Sequence, residues 1–180
     1  IPVSTATVKA GGEVTFFKGE PHKLAGVPVQ VGDPLPKVTL VDALSGQEVE
    51  LQAKGGTVLL LSIVPSIDTA VCSEQTSILS QEASVLPSSV RRVTISMDTP
   101  KTIRNFALSF EIDNVEFLSD AGAGAFGLAT GLLVEDLHFL ARAVLVVDGD
   151  GVIRYMQVVP EIGDLPDMHA AFEKAASLAR

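Results

Sequence analysis

The stretch Val64–Gln75, VPSIDTAVCSEQ, holds the single cysteine of the 180-residue chain, Cys72. A thiol is the strongest nucleophile among the side chains, and its setting decides whether it can be used. The run GTVLLLSIV (56–64) is continuously apolar and rich in β-branched residues, so it reads as a central strand buried on both faces. Pro65 stops that strand, and Ser66, Ile67, Asp68 and Thr69 form a connection. With Thr69 as N-cap, Ala70, Val71 and Cys72 become the first three positions of a helix. Unpaired N–H groups and the positive end of the helix dipole favour a thiolate there, and the thiolate is the reactive form. The Thr69 hydroxyl, three residues earlier, is within reach of both the N3 amide and the sulfur. On placement alone, Cys72 is equally readable as a small buried hydrophobe, Thr69 as a cap only and Pro65 as a strand terminator only.

Other chemistries are poorly supplied. One cysteine excludes an intramolecular disulfide and cysteine-rich zinc sites. His22, His138 and His169 are scattered, so no metal site and no cofactor are expected. The segment GAGAFG, Gly122–Gly127, has the G-x-G-x-x-G spacing of a dinucleotide fold and follows the strand-like VEFLS. Asp148 falls ~20 residues on, where such a fold places its ribose acid. Against a nucleotide-binding module stand Gly131 and the absence of a clean helical stripe after the glycines. Asp148 opens DGDG, a turn sequence, and too few βαβ units follow. As a calcium loop DGDGVI also fails, because Val152 and Val159 stand where acidic ligands are needed.

The elements that must position Cys72 alternate. EVTFFKGEPHKLAG reads as a hairpin turning at Lys-Gly-Glu-Pro, within an N-terminal extension over residues 12–26, after a loose terminus over 1–12. Short strands flank the Ser-Gly turn of the segment 31–51. RRVTISMD and RAVLVVD read as further buried strands, and VVDGDGVIRYMQVV as two strands around a glycine-rich turn. Between them, Cys72, Ile78, Leu79, Val85 and Leu86 follow helical spacing. Thr99 caps a second helix with Pro100 at its first position, and Ile103, Phe106, Ala107 and Phe110 form its apolar stripe. Met168, Phe172, Ala175 and Ala179 form the stripe of a last helix. The order predicts one α/β domain over residues 1–180 with a mixed central sheet flanked by helices.

Composition narrows the function classes. Hydrophobic residues make up 47% of the chain, enough for a substantial core. A formal net charge of −9 argues against a nucleic-acid partner, which calls for a basic surface. No apolar run approaches the ~18 residues of a membrane span. The start IPVSTATVKAGGEV lacks a basic stretch followed by a long apolar core, so no signal peptide is read there and a cytoplasmic location is expected.

Pro65–Cys72, PSIDTAVC, resembles the P-x-x-x-[TS]-x-x-C signature of peroxiredoxins, and its fuller form resembles the thiol peroxidase subfamily. VTFFKGEPHKLAG, VGDPLPKVTL, ISMD and LARAVLVVDGDGVI are similar to the hairpin and strands of that subfamily. The resemblance implies a thioredoxin-like fold and reduction of hydrogen peroxide and organic hydroperoxides. It implies that Cys72 is the peroxidatic cysteine, that Thr69 hydrogen-bonds the sulfur and the peroxide, and that Pro65 shields the pocket. It further implies that Arg142, in LARAV, holds the thiolate and the peroxide oxygens; without the resemblance, that arginine reads equally well as a snorkelling side chain. A homodimer is implied too. The pattern breaks at the resolving cysteine, whose place falls at or beside Ala107. With no second thiol, an oxidised Cys72 has no internal partner, so an external thiol, small or thioredoxin-like, is expected to regenerate it. A peroxide sensor or relay protein would use the same Cys72, Thr69 and Arg142 and is the alternative.

Overall fold

A computed structural model describes residues 1–81 and 86–179 of the chain. Among the described residues, seven strands form one mixed sheet. Its centre is β5 (Leu59–Ile63), parallel to β6 (Arg91–Ser96), which is parallel to β7 (Glu116–Ser119). On one flank β10 (Ala143–Val147) runs antiparallel to β5 and to the edge strand β11 (Ile153–Val158). On the other, β3 (Val38–Asp42) pairs antiparallel with β7 and with β4 (Glu48–Leu51). Every residue of β5 and β10 is buried, as their uninterrupted apolar sequence predicts.

Two cores use the two faces of this sheet. Leu59, Leu61 and Ile63 alternate with Leu60 along β5, and Leu145 and Val147 alternate with Val144 and Val146 along β10. The face of Leu60 and Val144 packs against α1 (Ala70–Gln81), α2 (Pro100–Ser109) and α4 (Met168–Leu178). The opposite face packs against α3 (Ala125–Thr130) and a second, four-stranded sheet in the order β1-β2-β8-β9. That sheet joins the hairpin of β1 (Glu13–Thr15) and β2 (Pro21–Ala25) to β8 (Leu133–Val134) and β9 (Phe139–Leu140).

The expected hairpin is present, but its connection is longer than Lys-Gly-Glu-Pro. Phe16 to Glu20 lie outside both strands, and Phe17 and Lys18 have positive φ values of 53° and 56°. The first twelve residues are not loose. Ser4 donates to the Leu165 carbonyl and Val8 to that of Val158, and the Gln157 amide donates to Ser4 and Ala6. The segment thereby covers the open edge of β11, which would otherwise expose unpaired backbone groups.

α2 begins as its sequence predicts. Thr99 accepts from the Thr102 amide and Pro100 occupies the first turn. Ile103, Phe106 and Ala107 are buried, whereas Phe110 ends the helix and is 54% exposed, because the chain leaves the helical path there. In the stripe of α1, Ile78 and Leu79 pack as expected and Leu86 is buried beyond the helix; Val85 lies outside the described residues. Among the described residues no helix is long and apolar enough to cross a membrane.

Candidate active site

Cys72 stands on α1, immediately after β5 delivers the chain to the end of the sheet. It is 1% exposed and belongs to the helix-side core. The first α-helical hydrogen bond runs from the Ser73 amide to the Thr69 carbonyl at 2.8 Å, so the amides of Ala70, Val71 and Cys72 precede the ladder and point out of the helix start. No acidic side chain occupies that first turn. The dipole therefore faces the sulfur uncompensated.

Arg142 reaches the sulfur from the adjacent strand. It lies just before β10, which is paired with β5, so the pairing of two apolar strands carries the guanidinium to Cys72 across seventy residues of sequence. Nη2 donates to Cys72 Sγ at 3.3 Å, Nη1 to Gln75 Oε1 at 3.1 Å and Nε to the Ile162 carbonyl at 2.7 Å. Arg142 is 2% exposed, and among the described residues no carboxylate pairs with it. A buried cation surrounded by neutral acceptors lacks charge compensation from those partners.

Gln75 was not legible as a site residue. It lies one helical turn after Cys72 on the same buried face, and i,i+3 spacing is the only signal that could have found it. Its amide donates to Ser62 Oγ at 2.8 Å, and to the Ile63 and Ala143 carbonyls at 3.4 and 3.3 Å. Those bonds fix which end of the side chain meets Arg142. Asp98, at the end of β6, is a second such residue. It accepts from the Ile67 amide at 2.7 Å and from Ser96 Oγ at 2.8 Å, tying the loop before Cys72 to the neighbouring strand.

Thr69 and Pro65 both line a pocket of about 320 Å³ that also includes Arg142. Pro65 is buried and Thr69 exposed. The Thr69 hydroxyl donates to the Ser66 carbonyl at 2.9 Å, and no bond to the N3 amide or to the sulfur accompanies it. It does not act as a side-chain cap: no α1 amide donates to it, and its proton closes the turn Ser66–Thr69. The oxygen lone pairs remain free toward the pocket. The other walls are apolar: Phe16, Phe17, Val71, Phe139 and Ile162.

The glycine segment is built differently from a phosphate loop. Asp120 accepts from the Phe126 and Gly127 amides at 2.8 and 3.0 Å, so the start of α3 is already occupied by a carboxylate of its own chain. Burial holds that carboxyl above its ordinary range against the opposing pull of those two amides. A Cβ on Gly127 would meet Leu140 Cδ2 at 2.7 Å, which makes this glycine a packing requirement. Asp148 accepts from the Asp150 and Val152 amides in the tight turn between β10 and β11.

Residues 30–172 match the family model described as Redoxin. The chain belongs to that family, in its thiol peroxidase branch. It is 42% identical over 159 residues to the thiol peroxidase of Listeria innocua, covering 88% of this chain and 95% of the relative. The thiol peroxidase of Staphylococcus aureus is 42% identical over 159 residues as well, covering 88% and 94%. Among solved structures, a peroxiredoxin-like protein from Aquifex aeolicus superimposes with a TM-score of 0.85 at 32% identity, covering 94% of this chain and 98% of that one. A thiol peroxidase from Chromobacterium violaceum shares the fold with a TM-score of 0.75 at 21% identity. The mixed sheet flanked by helices is accordingly a thioredoxin-like fold, as the resemblance of PSIDTAVC led us to expect.

Proposed function

We propose that this chain reduces hydrogen peroxide and organic hydroperoxides through a sulfenic acid at Cys72, and that an external thiol regenerates the cysteine. The observation that carries the reading is the 3.3 Å contact between Cys72 Sγ and a buried arginine that has no carboxylate partner among the described residues.

In the first step the Cys72 thiolate attacks the distal oxygen of the hydroperoxide. The S–O bond forms, the O–O bond breaks, and the leaving alkoxide takes a proton to become the alcohol. Charge moves from sulfur to the leaving oxygen, so donors that serve both ends of the displacement lower the barrier. Arg142 offers a rigid fork suited to this, and the amides of Ala70–Cys72, which precede the helix ladder, add the positive end of the helix. The Thr69 oxygen accepts a hydrogen bond from the hydroperoxide O–H, which orients the attacked oxygen and leaves its proton on the sulfenic acid. Pro65 shields the pocket from water, which strengthens each of these interactions.

In the second step an external thiol attacks the sulfenic sulfur, releasing water and leaving a mixed disulfide. A second thiol then displaces Cys72 as thiolate and leaves as the external disulfide. The chain has no other cysteine with which the sulfenic acid could condense. Ala107, at the place expected for a resolving cysteine, is 2% exposed and shares the core of Cys72. A homodimer, a single domain and a cytoplasmic setting complete the reading.

Turnover tests it. With excess dithiothreitol, peroxide consumption should be catalytic and should vanish in Cys72→Ser. A single stoichiometric oxidation without turnover would instead favour a sensor awaiting its partner. Oxidation of Cys72 no faster than that of a free thiol would remove the enzyme reading.

A further inference from the structure

The loop between β1 and β2 is strained and is held by one carboxylate. Phe17 and Lys18 both occupy the left-handed region, which side chains with a Cβ rarely adopt in succession. Their two amides converge on Glu161, the Phe17 amide donating to Oε1 and the Lys18 amide to Oε2, each at 2.7 Å. The Gly163 amide donates to Oε1 at 3.1 Å and Thr15 Oγ1 to Oε2 at 3.0 Å. Both carboxylate oxygens thus accept two bonds each.

The same loop carries Phe16 and Phe17 into the wall of the pocket lined by Pro65, Thr69 and Arg142. Their rings lie 4.3 Å apart, tilted by 46°, and Phe16 meets Phe139 edge-on at 6.4 Å. Phe17 remains 75% exposed, so its ring has surface left to cover a bound apolar group. We propose that Glu161 is a positioning residue for organic hydroperoxides: it latches the Phe16–Phe17 loop over the pocket, and so selects for substrates whose organic group can be buried against those rings. The proposal rests on the peroxidase reading and concerns substrate choice within it.

The latch is separable from the catalytic arginine. Ile162, next in sequence, gives its carbonyl to Arg142 Nε. That carbonyl is held by the main chain, since the Ile162 amide donates to the Thr15 carbonyl and the Thr15 amide to that of Pro160, both at 2.8 Å. Changing the Glu161 side chain leaves those backbone bonds available. Hydrogen peroxide has no organic group to bury against these rings, so the two substrates should respond differently.

The experiment is the ratio of the second-order rate constants for Cys72 oxidation by cumene hydroperoxide and by hydrogen peroxide. Glu161→Gln keeps the shape but turns one doubly accepting oxygen into a donor facing donors. We expect the ratio to fall about tenfold, the equivalent of losing about 55 Å² of apolar contact. Phe17→Ala, at an exposed position that leaves the latch intact, should lower the ratio in the same direction. A ratio unchanged in both variants, or both rate constants falling together in a folded Glu161→Gln, overturns the proposal while wild-type Cys72 remains fast. A wild-type rate no faster than a free thiol overturns the peroxidase reading and this one with it.

Discussion

Replacing Arg142 with methionine is the perturbation that bears most directly on the site. The guanidinium lies 3.3 Å from Cys72 Sγ, and at an effective dielectric constant of ~20 two unit charges at that separation attract by about 5 kcal/mol. Only the part that changes between ground and transition state alters the rate. Removing one donor from a developing anion costs about 3–4 kcal/mol in comparable sites, or roughly 10²–10³ in rate. Arg142→Met should therefore slow Cys72 oxidation by hydrogen peroxide by about 10²–10³. Arg142→Lys keeps a charge but loses the fork that also holds Gln75 and Ile162, and should fall in between. Methionine leaves Gln75 Oε1 and the Ile162 carbonyl without this donor, at about 1–3 kcal/mol each, so the rates should be taken well below the variant's melting temperature. The chain has no tryptophan, so oxidation is best read as intact mass after rapid quench with a sulfenate trap. A folded Arg142→Met that oxidises within about threefold of wild type would refute the argument, because less than 1 kcal/mol would then separate the two.

Gln75→Leu should lower stability by about 1–3 kcal/mol, since Ser62 Oγ and Arg142 Nη1 lose a buried partner, and should slow oxidation as the guanidinium loses one anchor; denaturant titration and the same quench assay measure both. Without added thiol, each chain should consume one equivalent of peroxide and then stop, with mass spectrometry showing a trapped sulfenate and no intramolecular disulfide. Acid should destabilise the protein through Glu161 and Asp148. Burial raises each, but it is outweighed at Glu161 by the amides of Lys18, Gly163 and Phe17 with the Thr15 hydroxyl, and at Asp148 by Arg154 with the amides of Val152 and Asp150, so both sit below the ordinary carboxylate range. Their folded-state affinity for protons is lower than the unfolded, so their stabilisation is complete above about pH 4–5 and is lost as pH falls through the depressed values. Urea midpoints from pH 7 to pH 3 should fall less steeply in Glu161→Gln and Asp148→Asn than in wild type.

Local chemistry made much of this protein readable from its sequence. Apolar runs marked β5 and β10, because a strand covered on both faces carries few polar residues. Thr99-Pro100 marked the start of α2, and the Pro65-to-Cys72 spacing placed the thiol in the first turn of α1, because caps and breakers act on their immediate neighbours. Where the sequence misled, the deciding group was distant. Thr69 was expected to cap α1 with its side chain, yet its proton goes to Ser66. The N-terminal residues look unstructured by composition and are ordered by the open edge of β11. Gln75 and Glu161 carry no motif. One matters because β10 pairs with β5 and brings Arg142 beside α1, and the other because the β1–β2 loop folds back onto the segment before α4. The sequence by itself determined where the nucleophile sits in its helix and which strands lie at the centre, since both follow from near neighbours and periodicity. Only the tertiary structure decided what surrounds that nucleophile, because hydrogen-bond partners separated by 70 to 146 residues meet through strand pairing and loop return, which no local spacing encodes.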